Sequence, residues 1–141
     1  MNYTKHLFAA AMMMTMAPLL ASAQLGHTVS IATQVPFQFV VGDRVVPAGK
    51  CVLQAANLAD DTILIRNDDK MVRLFSATSL GEARQPAASN ELVFHKYGDR
   101  FFLAAVRLQG SRVEYQLPLS REETGLRQQN QPSAEETIHA F

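Results

Sequence analysis

Tryptophan is absent and cysteine occurs once, at Cys51, so no internal disulfide can brace this chain of 141 residues. Histidine is scarce beyond position 23: His27, His95 and His139 stand far apart. No His-x-His or His-x₃-His spacing brings two ring nitrogens to one metal ion. Neither charge dominates, with 13 Lys and Arg against 13 Asp and Glu. That balance leaves no basic stripe for a nucleic acid or an anionic membrane. Gly-x-Ser-x-Gly and Cys-x-x-Cys are missing, and with them the usual nucleophile-elbow and redox signals. The composition and motifs thus point to no catalytic residue, no cofactor and no metal.

What is present begins with an export signal. Lys5 and the start amine make a short positive segment, followed by an apolar run from Leu7 to Leu20. The run fits a signal peptide and is shorter than the ~20 residues of a membrane-spanning helix. Pro18 breaks the run, and Ala21-Ser22-Ala23 supplies the small residues of a cleavage site before Gln24. No Cys follows, so a lipoprotein signal is not expected. Five of the six methionines lie in this segment, leaving Met71. Removing the first 23 of 141 residues leaves 118, enough for one domain with its own core. No second run approaches membrane length, so no transmembrane segment is expected after cleavage. The expected location is periplasmic or secreted.

From Thr28 to about Leu117 the chain reads strand, turn, strand. Phe37, Phe39 and Val41 share one face at period two, and Gly42-Asp43 is a turn signal before Arg44 to Val46. Val46-Pro47-Ala48-Gly49 suits a β-turn. Lys50 to Ala55 and Thr62 to Arg66 are strands joined by the polar corner Asn57 to Asp61, and Asn67-Asp68-Asp69-Lys70 leads into Met71 to Thr78. Leu80 to Asn90 is polar, small and aperiodic, an expected exposed loop. Glu91 to Tyr97 and Arg100 to Leu108 flank Gly98-Asp99, a hairpin with a primed turn. Arg112 to Leu117 alternates, with Val113, Tyr115 and Leu117 buried and Glu114 and Gln116 wet. Ser120-x-x-Glu123 and Ser133-x-x-Glu136 match capping boxes. A short helix near Ser120 to Gln128 is expected, then a loosely ordered tail.

These elements predict an all-β domain, an antiparallel β-sandwich or small β-barrel of about 7–9 strands with a short C-terminal helix. The expected division is a signal peptide over 1–23, the β domain over 24–118, and helix and tail over 119–141. Cys51 opens an apolar run and is expected buried. His95 is expected as a half-packed strand residue. Asp60-Asp61 and Asp68-Asp69 lack the ligand spacing of a calcium loop and read as solvated turns. Phe141 ends the chain, but His139, Thr137 and Glu135 occupy positions that an outer-membrane barrel strand would make apolar.

The hairpin carries the candidate site. Phe94, Tyr97, Arg100, Phe101 and Phe102 crowd one ribbon, and adjacent Phe101 and Phe102 point to opposite faces. One ring is expected in the core; the other needs a cover, either the C-terminal helix or a protein or glycan partner.

The segments VPFQFVVGDRVVPAGKCVL and ELVFHKYGDRFFL, with Gln116-Leu117-Pro118-Leu119-Ser120-Arg121-Glu122, resemble a family of small exported proteins frequent in acidobacteria. Its pattern reads VPF-x-F-x-VG, LPAG-x-Y-x-V, LVFH-x-YGD-x-YFL and ELP-x-S-x-x-E, and the resemblance extends from Val35 to about Glu123. Cys51 stands where that family usually carries Tyr. The resemblance implies export and a β fold and assigns no activity. The function expected from the sequence is therefore a non-enzymatic binding or structural module of the cell envelope with a protein or glycan partner and no nucleic acid. Self-association through sheet edges is the expected mode of contact between copies. The alternatives are a small barrel carrying an apolar ligand and, last, a hydrolase.

Overall fold

The computed structural model describes residues 29–55 and 61–140. The expected export signal and cleavage site, His27, the Asn57–Asp60 part of the polar corner and Phe141 lie outside the described residues. Among the described residues eleven strands, one 3₁₀ turn and one α-helix form two facing sheets, a β-sandwich.

The first sheet runs β1 (Val29–Val35), β4 (Gly49–Ala55), β5 (Thr62–Asn67) and β6 (Val72–Ala77) in that spatial order, all antiparallel. Its strands alternate strictly: Ile31 and Val35, Cys51, Leu53 and Ala55, Ile63 and Ile65, and Leu74 all face inward. The second sheet runs β11 (Ala134–Ala140), β8 (Asn90–Tyr97), β9 (Arg100–Arg107), β10 (Val113–Gln116) and β7 (Ser79–Glu82). The short pair β2 (Phe39–Val41) and β3 (Arg44–Val46) joins β9 through one parallel bridge, Val40 to Phe102. Between the sheets Phe94 meets Phe37 and Phe39 edge to face, each at 5.1 Å, and Phe37 stacks on Phe101 at 3.7 Å.

Gly-Asp closes two of the hairpins. Gly98 (φ 59°) and Gly42 (φ 57°) each take the positive φ that the first central residue of a II′ turn demands, and the aspartates that follow stay negative. At Asn67 the buried side-chain amide donates to the Pro47 carbonyl at 3.0 Å, and its oxygen caps the Asp68–Lys70 turn at the Lys70 amide.

Two expectations change. About 7–9 strands were expected, and β7 and β11 were not among them. The segment read as a loop from Leu80 starts as β7, paired with β10, and stays irregular only over residues 83–89. The tail expected to be loose is β11, paired with β8 over seven positions from Ala134↔Lys96 to Ala140↔Asn90. Its Ser133-x-x-Glu136 capping pattern is overridden because β8 offers a full row of unpaired backbone groups. Ile138 and Ala140 then enter the core, and Thr33 of β1 donates to the His139 carbonyl at 3.3 Å, closing that side of the sandwich. Among the described residues no helix is long and apolar enough to cross a membrane.

Candidate functional site

The hairpin β8–β9 places its residues on two faces. Leu92 and Phe94 point into the sandwich, and Val93, His95 and Tyr97 point outward. The pairing slips between Val93 and Phe94, where Ala104 is an extra residue on β9. Beyond this bulge Ala105 and Arg107 face outward, and the Ala104 carbonyl accepts from the Leu117 amide at 2.9 Å. The bulge thus sets two alanines, not large side chains, in the middle of the outer face.

Helix α1 (Arg121–Gln128) lies over one end of that face. Ser120 caps it, accepting from the Glu123 amide at 3.0 Å, with acidic residues in the first turn and Arg127 in the last. The reciprocal half of the capping box is not made. The Glu123 side chain, only 3 % exposed, turns inward and takes His95 Nδ1 at 2.5 Å and the Tyr97 hydroxyl at 3.0 Å on one oxygen. Arg127 donates from Nε to the Tyr97 oxygen at 3.0 Å and sits 3.5 Å from the same carboxylate oxygen. His95 Nδ1 cannot both donate to Glu123 and accept from Arg127 Nη2 at 3.3 Å. The carboxylate oxygen is the nearer partner, so Nδ1 carries a proton and donates to Glu123, and the approach of Arg127 is a contact and not a second hydrogen bond. Desolvation pushes the Glu123 carboxyl up, but the hydrogen bonds and charges of His95, Tyr97 and Arg127 outweigh it and hold the group below its ordinary value of 4.5.

A second cluster centres on Arg107. Its Nε binds Glu114 at 2.6 Å, and Glu91 and Glu135 approach its terminal nitrogens at 3.6 and 3.7 Å. Partial desolvation lowers its proton affinity, and the three carboxylates more than restore it, raising the group above its ordinary value. Glu114, expected on a wet face, is therefore 9 % exposed: the guanidinium beside it makes burial tolerable.

Between the two clusters runs an open groove of about 390 Å³. Its floor is Ala104, Ala105 and Val93; Leu117 and Leu119 form one wall, and His95, Arg107, Glu114, Gln116, Arg127 and Glu135 supply its polar groups. Arg107 and Glu114 also border a shallower depression of about 510 Å³ against Glu82 to Gln85. The irregular segment 83–89 thus flanks the site, tied down where Ala83 and Ala87 donate to Arg112 and Ser111 carbonyls.

The aromatic residues singled out in the hairpin do not form an exposed platform. Phe94 is fully enclosed in the core; Phe101 is half-buried against Phe37, with the Lys96 ammonium 5.4 Å from its ring. Phe102 is 1 % exposed, packed with Val40, Tyr97 and Leu126 under α1. Tyr97 is buried and spends its hydroxyl on Glu123; Arg100 is exposed, 2.6 Å from Glu122. The cover that the second phenylalanine required is the helix, because β9 ends its outward apolar side chains where Leu126 can reach them. Glu123 was missed, since a carboxylate three residues after a Ser reads as a cap. The available signal was the pairing of His95 and Tyr97 two apart on a strand with Glu123 and Arg127 four apart on a helix.

Cys51 is fully buried, and desolvation pushes its thiol up to about 11. Among the described residues no three His, Cys, Asp or Glu side chains are grouped to hold a metal ion. The apolar slot between the sheets, bounded by Ile31, Leu53, Val106 and Tyr115, measures about 20 Å³, room for about one water. Comparison of the chain with protein-family models, curated proteins and solved structures returns no match.

Proposed function

We propose that this chain is an exported, non-enzymatic binding module of the cell envelope that receives a segment of a protein partner in the groove on the outer face of the second sheet. The observation that carries this reading is the groove itself: about 390 Å³, floored by small residues at the Ala104 bulge and rimmed by fixed charged side chains. Its volume falls in the range of ligand sites, and its mixed apolar and hydrogen-bonding lining suits a peptide side chain with flanking backbone. A protein is favoured over a glycan because the groove lining includes no aromatic ring on which a sugar would stack.

The competing readings have less support. His95 and Glu123 resemble the base and orienting acid of a catalytic triad, but no hydroxyl or thiol lines the groove for them to activate. Carriage of an apolar ligand needs an interior volume of a few hundred Å³, against about 20 Å³ in the slot between the sheets.

The test is photo-crosslinking in the native host from a reactive residue at Gln116, in the groove, and at Gln34, on the far sheet. The expected result is one discrete protein adduct from Gln116 alone, lost when Leu119→Glu places a charge on the exposed groove wall. Equal adducts from both positions, or none from Gln116, would sink the reading.

A further inference from the structure

We propose that two copies of this chain pair edge to edge through β6, joining their four-stranded sheets into one continuous sheet. This surface is separate from the groove on the second sheet, and the inference does not depend on it.

Strand β6 ends the spatial order of the first sheet, and among the described residues no strand lies beyond it. The opposite edge, β1, is covered by β11 through the Thr33 to His139 hydrogen bond. Thr78 donates to the Asp61 carbonyl at 2.7 Å, which sets the phase of the β5–β6 ladder. Residues in phase with Thr78, namely Val72, Leu74 and Ser76, bond to β5. The N–H and C=O groups of Arg73, Phe75 and Ala77 therefore point away from the sheet.

Exposed edges are ordinarily blunted by proline, glycine, a bulge or several charges. Strand β7 is four residues with Gly81 and Glu82, and β3 is three residues. β6 has six residues in unbroken register, with no proline or glycine and a single charge, Arg73. It also carries the exposed apolar surface of this sheet: Phe75 is 71 % exposed and Met71, at its start, 94 %.

The occupant is a second copy because the strand is complementary to itself. Antiparallel pairing about a two-fold axis at Leu74 sets Arg73 of each copy opposite Phe75 of the other, both residues having outward backbone groups and side chains on the same outer face. Each guanidinium then lies beside an aromatic ring. Arg73 makes no ion pair among the described residues and stands opposite Arg66 in its own sheet, so a ring offers it a better neighbour. Centring the pairing on Arg73 would oppose two like charges, and centring it on Phe75 would set Arg73 against Ala77.

The experiment is sedimentation equilibrium of the chain expressed with its own N-terminus and recovered as the cell processes it, at concentrations up to about 1 mM. A dimer is expected, and Phe75→Lys should weaken it by at least about tenfold while circular dichroism stays unchanged. Gln34→Lys adds the same charge on the same face beside the covered edge and should leave the dimer intact. A monomer throughout overturns the inference, as does a dimer that Phe75→Lys leaves unweakened or that Gln34→Lys weakens equally.

Discussion

Glu123 is the residue on which the helix is fixed. It sits on a helix whose only large apolar contact is Leu126, so α1 docks by a buried carboxylate more than by an apolar stripe. An eight-residue helix is marginal alone, and the hydrogen bonds from His95 and Tyr97 hold it on the sheet. Glu123→Gln keeps the shape and removes the charge, and should cost about 1–3 kcal/mol at neutral pH because Arg127 loses its counter-ion and the His95 and Tyr97 donors lose a charged acceptor. The sign of the pH dependence follows from the lowered carboxyl. Its contribution is fully present above the ordinary carboxylate value of 4.5 and is lost as the pH falls through the lower folded-state value. Urea melts at a series of pH values should therefore show wild type and variant converging below the carboxylate range. A constant gap down to strongly acidic pH would refute this account of Glu123.

At the scale of elements, β11 and the bulge on β9 organise the site. Strand β11 supplies Glu135 to the Arg107 cluster and Ile138 and Ala140 to the core, and it covers the edge of β8. A chain ending at Ser133 should keep its other strands and lose this cover. Amides along β8 should then exchange with deuterium at least about tenfold faster, while those of β5 change little. Uniform acceleration across both sheets would mean that β11 holds the whole fold and not one edge. The sequence made the hairpin and α1 legible, because Gly-Asp turns and a Ser cap are local chemistry acting within four residues. It did not reveal β11: Ala-Glu-Glu-Thr-Ile-His-Ala carries no strong strand preference, and its pairing partner lies about forty residues away.

For the molecule as a whole, a phenylalanine cluster packs the inner face of the second sheet within the shared core. Phe94 touches Phe37 and Phe39 edge to face, while Phe37 also stacks on Phe101, so three strands and a connecting segment meet there. Phe94→Ala should destabilise the domain by about 3–5 kcal/mol in chemical denaturation, since a close-packed interior collapses only partly around the void. A loss below about 1 kcal/mol would show that the cluster is not a close-packed part of the core. The same packing leaves the slot between the sheets at about 20 Å³, which is why binding is assigned to an outer face.

Local chemistry in the sequence determined nine of the eleven described strands, the tight turns, the inward faces of the first sheet and the burial of Cys51, because alternation and turn residues act over a few positions. The tertiary structure alone decided that the strands form two sheets and not a closed barrel, that Glu114 and Glu123 are buried, and that Phe102 lies beneath a helix. Each of these depends on partners distant in the chain: Arg107 for Glu114, His95 and Tyr97 for Glu123, Leu126 for Phe102. A buried carboxylate is stable only where such partners converge, and a single sequence does not display that convergence.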